Sequence, residues 1–232
     1  MSSTSPVNCF LPCRKGSERV PRKNIKPFAG FANGLIEVKL RQLIGAKGIG
    51  KIYLSTNDEE ILDYAATLGS DKIVLHKRCE ELSSSQTSTD DLVAHALELI
   101  GDGDIMWTHV TSPFVSAASY DSIVARYREA LDEGHDSLMT TSVIHGFIWN
   151  EDGPVNYDRN IEKWPRTQTL PTLYEINSAA FLAPASIYRD EDDRIGRNPF
   201  IYGMDKIEGM DIDWPVDFQI AESMVLQGIA SV

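Results

Sequence analysis

Short apolar runs alternate with amphipathic helical periods from Val7 to Leu131, and this alternation most narrows what the chain can fold into. Val7, Cys9, Phe10 and Leu11 read as a buried first strand. Ile36, Leu40, Leu43 and Ile44 recur at helical spacing, which predicts a helix over residues 35–46, ended by Gly48-Ile49-Gly50. Strands are predicted at 52–55 and 72–75. Between them lies a helix opened by Asp58, built on Ile61, Leu62, Ala65 and Leu68, and stopped by Gly69. Thr89-Asp90-Asp91 caps a helix carrying Leu92, Ala96, Leu97 and Ile100. A strand over 104–110 then stops at Thr111-Ser112-Pro113, and Ser116 opens a helix with Tyr120, Ile123, Val124, Tyr127 and Leu131 on one face. Strands alternating with helices predict an α/β fold with a mostly parallel sheet covered on both faces.

The second half changes character. Residues 137–144 are β-rich, and Phe147 to Gly153 reads as a hairpin or a projecting arm. Pro154, Pro165 and Pro171 interrupt any helical period there, so residues 141–175 are read as a small β-rich insertion, with association as its possible role. A strand-like run over 174–182 brings the chain back. Acids dominate after Ile187; a last strand is predicted at 207–212, and Pro215 opens a final helix with Phe218, Ala221, Met224 and Val225 inward. The 232 residues suit one domain, 1–232, with this insertion.

Six cations fall between Arg14 and Lys26 against one acid, Glu18, in a chain of 22 Lys+Arg and net charge −12. Gly16, Ser17, Pro21 and Pro27 argue for a shaped loop, not a helix face. A basic loop directly after a first strand is where α/β folds hold phosphates, since backbone N–H groups and cations converge there. A solvated charge run is the alternative. The spacing is neither G-x-G-x-x-G nor the P-loop pattern. The acidic balance argues against nucleic acid or an anionic membrane as partner. No apolar run is long enough to span a bilayer, and Met1 to Pro6 lacks the regions of a signal peptide. Three cysteines, Cys9, Cys13 and Cys79, give no disulfide framework, and a cytoplasmic location is expected.

Met210-Asp211-Ile212-Asp213 alternates apolar and acidic residues. On a strand, period two would put both carboxylates on one side, about 7 Å apart, where hard oxygens suit Mg²⁺ shared with substrate phosphates. An exposed strand face, or a start for the final helix, is the other reading. His109 sits near a strand end, where open α/β sheets bind ligands. Arg166 and Gln168 lie in a Pro-bracketed loop suited to clamping a carboxylate. His76, His95, His135 and His145 show no metal-ligand spacing, and neither G-x-S-x-G nor a Cys–His nucleophile pattern is present.

L-P-x-R-x-G-S-x-R-x-P-x-K-N-I-K-P, from Leu11 to Pro27, resembles the opening motif of the acylneuraminate (CMP-sialic acid synthetase) cytidylyltransferase family. The likeness continues in order through Ser55-Thr56-Asn57-Asp58, Arg78-x-x-Glu81-Leu82, Thr111-Ser112-Pro113, Pro165-Arg166-x-Gln168, Asn177 and Ile207-Glu208-x-x-Asp211-Ile212-Asp213. The resemblance implies a three-layer α/β/α Rossmann-like nucleotidyltransferase fold. It also implies a homodimer whose inserted arm reaches the partner's site, and Mg²⁺-dependent transfer of CMP from CTP to a 2-keto sugar acid with release of pyrophosphate. By motif, Arg14, Ser17, Lys23 and Asn24 would hold the triphosphate and ribose, with Arg14 and Lys23 also catalytic. Arg78, Thr87 and Thr89 would surround the cytosine. Asp211 and Asp213 would be the catalytic metal ligands, and His109, Thr111, Arg166, Gln168 and Asn177 would face the acid.

Sialate-type members usually carry Gln-Pro where this chain has His109-Val110, a basic residue at Glu18, Gly-Ala at Ser178-Ala179, and an arginine at Glu175. The nucleotide half of the pattern is kept and the acceptor half is altered. A non-sialic acceptor (a 3-deoxy-octulosonate-like acid or a phosphonate) is therefore the alternative within enzymology. A nucleotide-sugar binding protein without turnover is the alternative outside it.

Overall fold

The computed structural model describes residues 6–84 and 86–232. The chain runs β1 (Val7–Pro12), α1 (Gly34–Gly45), β2 (Ile49–Thr56), α2 (Glu59–Thr67), β3 (Ile73–Lys77), α3 (Thr89–Ile100), β4 (Asp104–Trp107) and α4 (Ala117–Asp132). It continues with β5 (Ser137–Ile144), a small hairpin of β6 (Trp149–Asn150) and β7 (Gly153–Pro154), then β8 (Leu173–Pro184), α5 (Ala185–Asp190), β9 (Pro199–Met204) and α6 (Pro215–Leu226). The helix starts follow their capping chemistry. The Asp58 side chain accepts the Glu60 N–H, and the Ser116 side chain accepts the Ser119 N–H. The cap of α3 falls one residue earlier than the sequence suggests, on Ser88, which forms a reciprocal capping box with Asp91.

One seven-stranded sheet has the order β3-β2-β1-β4-β8-β5-β9. Six strands run parallel; β8 alone is reversed, pairing antiparallel with both β4 and β5. Because β5 and β8 pair as two arms of one long hairpin, residues between Ile144 and Leu173 project from the sheet, while both ends of the 141–175 stretch lie within those strands. Period two sorts the strand residues between two apolar layers. Val7, Cys9 and Leu11 join α1, α2, α4 and α6 residues such as Leu40, Ile61, Val124 and Phe218. Phe10, Ile105, Trp107 and Phe181 join Val93 and Ala96 of α3 and Tyr188 of α5 on the other face. Burying one large aliphatic side chain contributes roughly 2 kcal/mol, so both layers hold the sheet firmly.

Strand β1 lies inside the sheet, with β2 on one side and β4 on the other, so the segments that follow β1 and β4 leave the carboxyl edge side by side and wall a crevice there.

Two expectations are corrected. The strand predicted at 104–110 stops at Trp107, because the Thr108 hydroxyl donates to the Ala179 carbonyl (2.6 Å) and lies 2.8 Å from the Tyr120 hydroxyl, turning the chain toward α4. No strand forms at 207–212. The Asp205 carboxylate accepts the Ile207 and Glu208 N–H groups (2.8 and 2.9 Å), and the Gly209 N–H donates to the Asp205 carbonyl, closing a turn. The edge strand beside β5 is instead β9, which the acid-rich sequence around it concealed, as it did α5.

Candidate active site

The basic loop leaves β1 at Cys13, whose N–H donates to the Ser55 carbonyl of β2. Its shape comes from its own turns. Gly16 sits at φ +81°, and Arg22 takes the left-handed region at φ 56° so that Ile25 and Lys26 can both donate to the Arg22 carbonyl. Two side chains tie it down. Asn57 accepts the Lys15 N–H (2.9 Å), and Asn24 donates to the Arg14 carbonyl (3.1 Å). At its far end, a Cβ on Gly34 would lie 2.1 Å from the Lys26 carbonyl oxygen, so only glycine lets α1 begin there.

This loop walls a cavity of about 490 Å³ at the crevice. Arg14, Ser17, Lys23 and Asn24 line one side; His109 and Thr111, just after β4, line the other. Six residues singled out by the sequence thus converge. A second cavity, of about 760 Å³, is lined by Ser142, Glu175, Asn177, Lys206, Asp211 and Asp213. The two adjoin at one ion pair: Arg19, which lines the first, lies 2.7 Å from Asp213, which lines the second. Arg19 also stacks 5.0 Å from the ring centroid of Trp214. Its partner is Asp213 and not Glu18, the acid beside it in sequence; Glu18 lies 3.9 Å from Arg14.

Lys23 donates to the Ile212 carbonyl (2.7 Å) and lies 3.6 Å from Asp213. Burial lowers its pKa, and the Asp213 and Asp211 carboxylates oppose that shift. Ile212 is fully buried, and its N–H donates to the Thr111 carbonyl, while Asp211 and Asp213 both reach the second cavity. The alternation read from the sequence therefore survives without a strand. Asp217 fixes the exit by accepting the Asp213 and Trp214 N–H groups (3.0 and 2.7 Å). Asp211 Oδ1 is buried with no hydrogen-bond partner.

Arg78 is buried behind the loop, donating to the Cys13 carbonyl and the Ser83 hydroxyl (both 3.2 Å), with Nη1 unpartnered. Thr87 bonds to the Glu81 carbonyl (3.2 Å), and Thr89 is the first residue of α3; neither lines the two cavities. Ser85, in the same polar stretch, lies outside the described residues. Asn177 is nearly buried: its amide oxygen accepts from the Thr140 hydroxyl (2.6 Å), and its nitrogen donates to Ser142 (3.3 Å). Arg166 and Gln168 are exposed on the projecting arm, and the structure brings neither to the cavities.

Three contributors lay outside the sequence reading. Trp107 donates its indole N–H to His109 Nε2 (2.8 Å). Arg194 lies over the rings of Phe181 (3.9 Å) and Trp107 (4.8 Å). Lys39, fully buried on α1, donates to the Ser112 carbonyl (2.7 Å) and the Tyr120 hydroxyl (2.6 Å), holding the Thr-Ser-Pro turn from below. Burial pushes its pKa down to about 7. His109 is pushed down to about 3, by burial first and then by Arg194, Lys23 and Lys39.

A mostly parallel sheet whose inner strand β1 opens into a phosphate-suited basic loop, facing two acids that precede the last helix, defines a nucleotidyltransferase of the Rossmann-like α/β/α class. Two solved structures share this fold. One is a CMP:2-keto-3-deoxy-manno-octonic acid synthetase complexed with CTP (TM-score 0.70, 13% identity, covering 97% of this chain and 100% of that one). The other is a 4-diphosphocytidyl-2C-methyl-D-erythritol synthase from Anaerococcus prevotii (TM-score 0.62, 14% identity, covering 95% and 96%).

The sequence is more particular. The profile of the family described as cytidylyltransferase matches residues 9–225, and the chain belongs to that family. A pseudaminic acid cytidylyltransferase of Campylobacter jejuni is 24% identical over 92% of this chain and 94% of its own length. The N-acylneuraminate cytidylyltransferase B of Danio rerio is 27% identical over 92% of this chain, which spans only 50% of that longer protein.

Proposed function

We propose that this cytidylyltransferase uses CTP and Mg²⁺ to transfer CMP to a 2-keto sugar acid of the sialic-acid type, releasing pyrophosphate. One observation carries the reading: the Arg14–Lys23 cavity and the Asp211–Asp213 cavity adjoin at the Arg19–Asp213 pair. A nucleoside triphosphate seated against the loop would then present its α-phosphate to an acid seated between His109, on the far wall of the first cavity, and Asn177 in the second.

Arg14, Ser17, Lys23 and Asn24 would bind and orient the phosphates. Lys23, held by the Ile212 carbonyl, adds a fixed positive charge beside the acids, suited to charge developing on the leaving group. The acceptor's anomeric hydroxyl oxygen would form the new bond to the α-phosphorus as the bond to the β-phosphate oxygen breaks; pyrophosphate departs and the hydroxyl proton is lost. Asp211 and Asp213 fit a magnesium ion. Asp211 offers a buried, unpartnered carboxylate oxygen, and Mg²⁺ characteristically takes one or two carboxylates, with waters and substrate phosphates completing its shell. When bound, it would neutralise phosphate charge and orient the in-line displacement.

A homodimer accords with the arm, where Phe147, Tyr157 and Trp164 form an edge-to-face aromatic group and Ile161 is 86% exposed. A cytoplasmic setting accords with three free thiols. No helix among the described residues is long and apolar enough to cross a membrane. The test is pyrophosphate release from CTP and Mg²⁺ with pseudaminate, N-acetylneuraminate, 3-deoxy-manno-octulosonate and a phosphonate. Release with a sialic-type acid is expected; tight CTP binding without release for any acceptor would contradict turnover.

A further inference from the structure

We propose that Trp107 is a positioning residue that locks His109 as the neutral Nδ1–H tautomer, so that His109 reads an oxygen of the acceptor acid as a hydrogen-bond donor. The acceptor half of this statement rests on the function proposed above; the tautomer half does not. Trp107 is fully buried, and an indole nitrogen can only donate. Its N–H points at His109 Nε2, 2.8 Å away, so that nitrogen must carry the lone pair. The ring proton therefore sits on Nδ1, which has no hydrogen-bond partner among the described residues, on a ring that lines the loop cavity. Protonating Nε2 would set two N–H groups against each other and leave a buried donor unsatisfied.

The charged neighbours act in the same sense. Burial disfavours a cationic imidazole first, and Arg194 and Lys23 add to it while Asp213 opposes them, so the ring remains a neutral donor throughout the working pH range. A neutral donor adds little to a triphosphate already met by the loop's cations. It does add direction toward a carboxylate or hydroxyl oxygen. It stands on the wall opposite the loop, two residues before Thr111, whose carbonyl holds Ile212 between the two acids.

The full-length protein labelled with ¹⁵N-histidine tests the lock directly. Among five histidines, His109 is assigned by its loss in His109→Asn. The expected signature is an Nδ1–H, Nε2-unprotonated ring that does not titrate between pH 5 and 8. An Nε2–H tautomer, or titration near pH 6.5, would overturn it. In Trp107→Phe the ring is expected to become a tautomer mixture that titrates. Should that variant not fold, a second pair decides.

Asn places its amide nitrogen near the position of Nδ1, and Gln near that of Nε2. With the best-used acid of the panel, His109→Asn is expected to keep the acid KM within about threefold. His109→Gln should raise it about tenfold or more. CTP affinity by calorimetry should be unchanged in both. Equal losses in the two variants, or lost CTP affinity with an intact acid KM, would overturn the acceptor assignment. Absence of turnover with every acid in the unsubstituted protein would contradict that assignment too, while leaving the tautomer result standing.

Discussion

Arg19 Nη2 lies 2.7 Å from Asp213 Oδ1, joining a loop at the start of the chain to an acid 194 residues later. Both side chains are 46% exposed, so the pair is screened and worth less than about 1 kcal/mol. Its importance is positional. It stands where the basic cavity meets the acidic one, and it occupies an oxygen that Asp213 would otherwise offer to a cation.

Replacing Arg19 with Met should therefore ease metal entry. The Mg²⁺ concentration for half-maximal activity is expected to fall about two- to fivefold, the scale of one exposed ion pair. Because Arg19 stacks on Trp214, Mg²⁺ titration should change tryptophan fluorescence in the unsubstituted protein and much less in Arg19→Met. A raised Mg²⁺ requirement would show that Arg19 assists the metal.

Asp211→Asn removes the charge from the unpartnered carboxylate while keeping its shape. Turnover should fall by about 100-fold or more, with CTP binding by calorimetry within about threefold. An active variant would remove the metal assignment.

Lys39 gives a stability prediction with a definite sign. Its folded pKa of about 7 lies below the unfolded value of 10.5. Between these values the unfolded chain binds the extra proton, so stability rises with pH. Comparing thermal midpoints at pH 7 and 8.5 stays below the range where the buried thiols Cys9 and Cys13, both pushed up by burial, act in the opposite direction. The unsubstituted protein should gain more over this interval than Lys39→Met, by roughly 1–2 kcal/mol. Equal gains would contradict a neutral Lys39 in the folded state.

The exposed arm predicts assembly. Light scattering should give twice the chain mass of 25.8 kDa, and Ile161→Asp with Trp164→Ala should shift the protein to monomer. A monomeric unsubstituted protein at micromolar concentration would contradict the dimer.

The first half of the fold was legible because its signals are local. Asp58 and Ser116 announce their helices by capping, and each apolar run is one strand. The second half hides its signals. Edge strand β9 follows an acidic segment, and Asp205 draws the Ile207 and Glu208 N–H groups into a turn that no apolar pattern reveals. Arg14, Ser17, Lys23, Asn24, His109 and Thr111 line one cavity because β1 and β4 are neighbours. Arg166 and Gln168 do not reach the cavities, since the arm carries them away from the sheet. The Trp107–His109 contact was accessible in principle, being an i, i+2 relation at a strand end. The Arg19–Asp213 pair was not, because only the folded chain brings those residues together.

In the proposed reaction an acceptor hydroxyl attacks the α-phosphorus of CTP. The most direct measurement uses a sialic-type acid carrying ¹⁸O in its anomeric hydroxyl, with the CMP product read by mass spectrometry and ³¹P NMR. The label is expected in the bridging oxygen of a CMP–sugar ester, with one unlabelled pyrophosphate released per ester formed. Pyrophosphate released with unlabelled CMP, or no CMP ester with any acid, would contradict it.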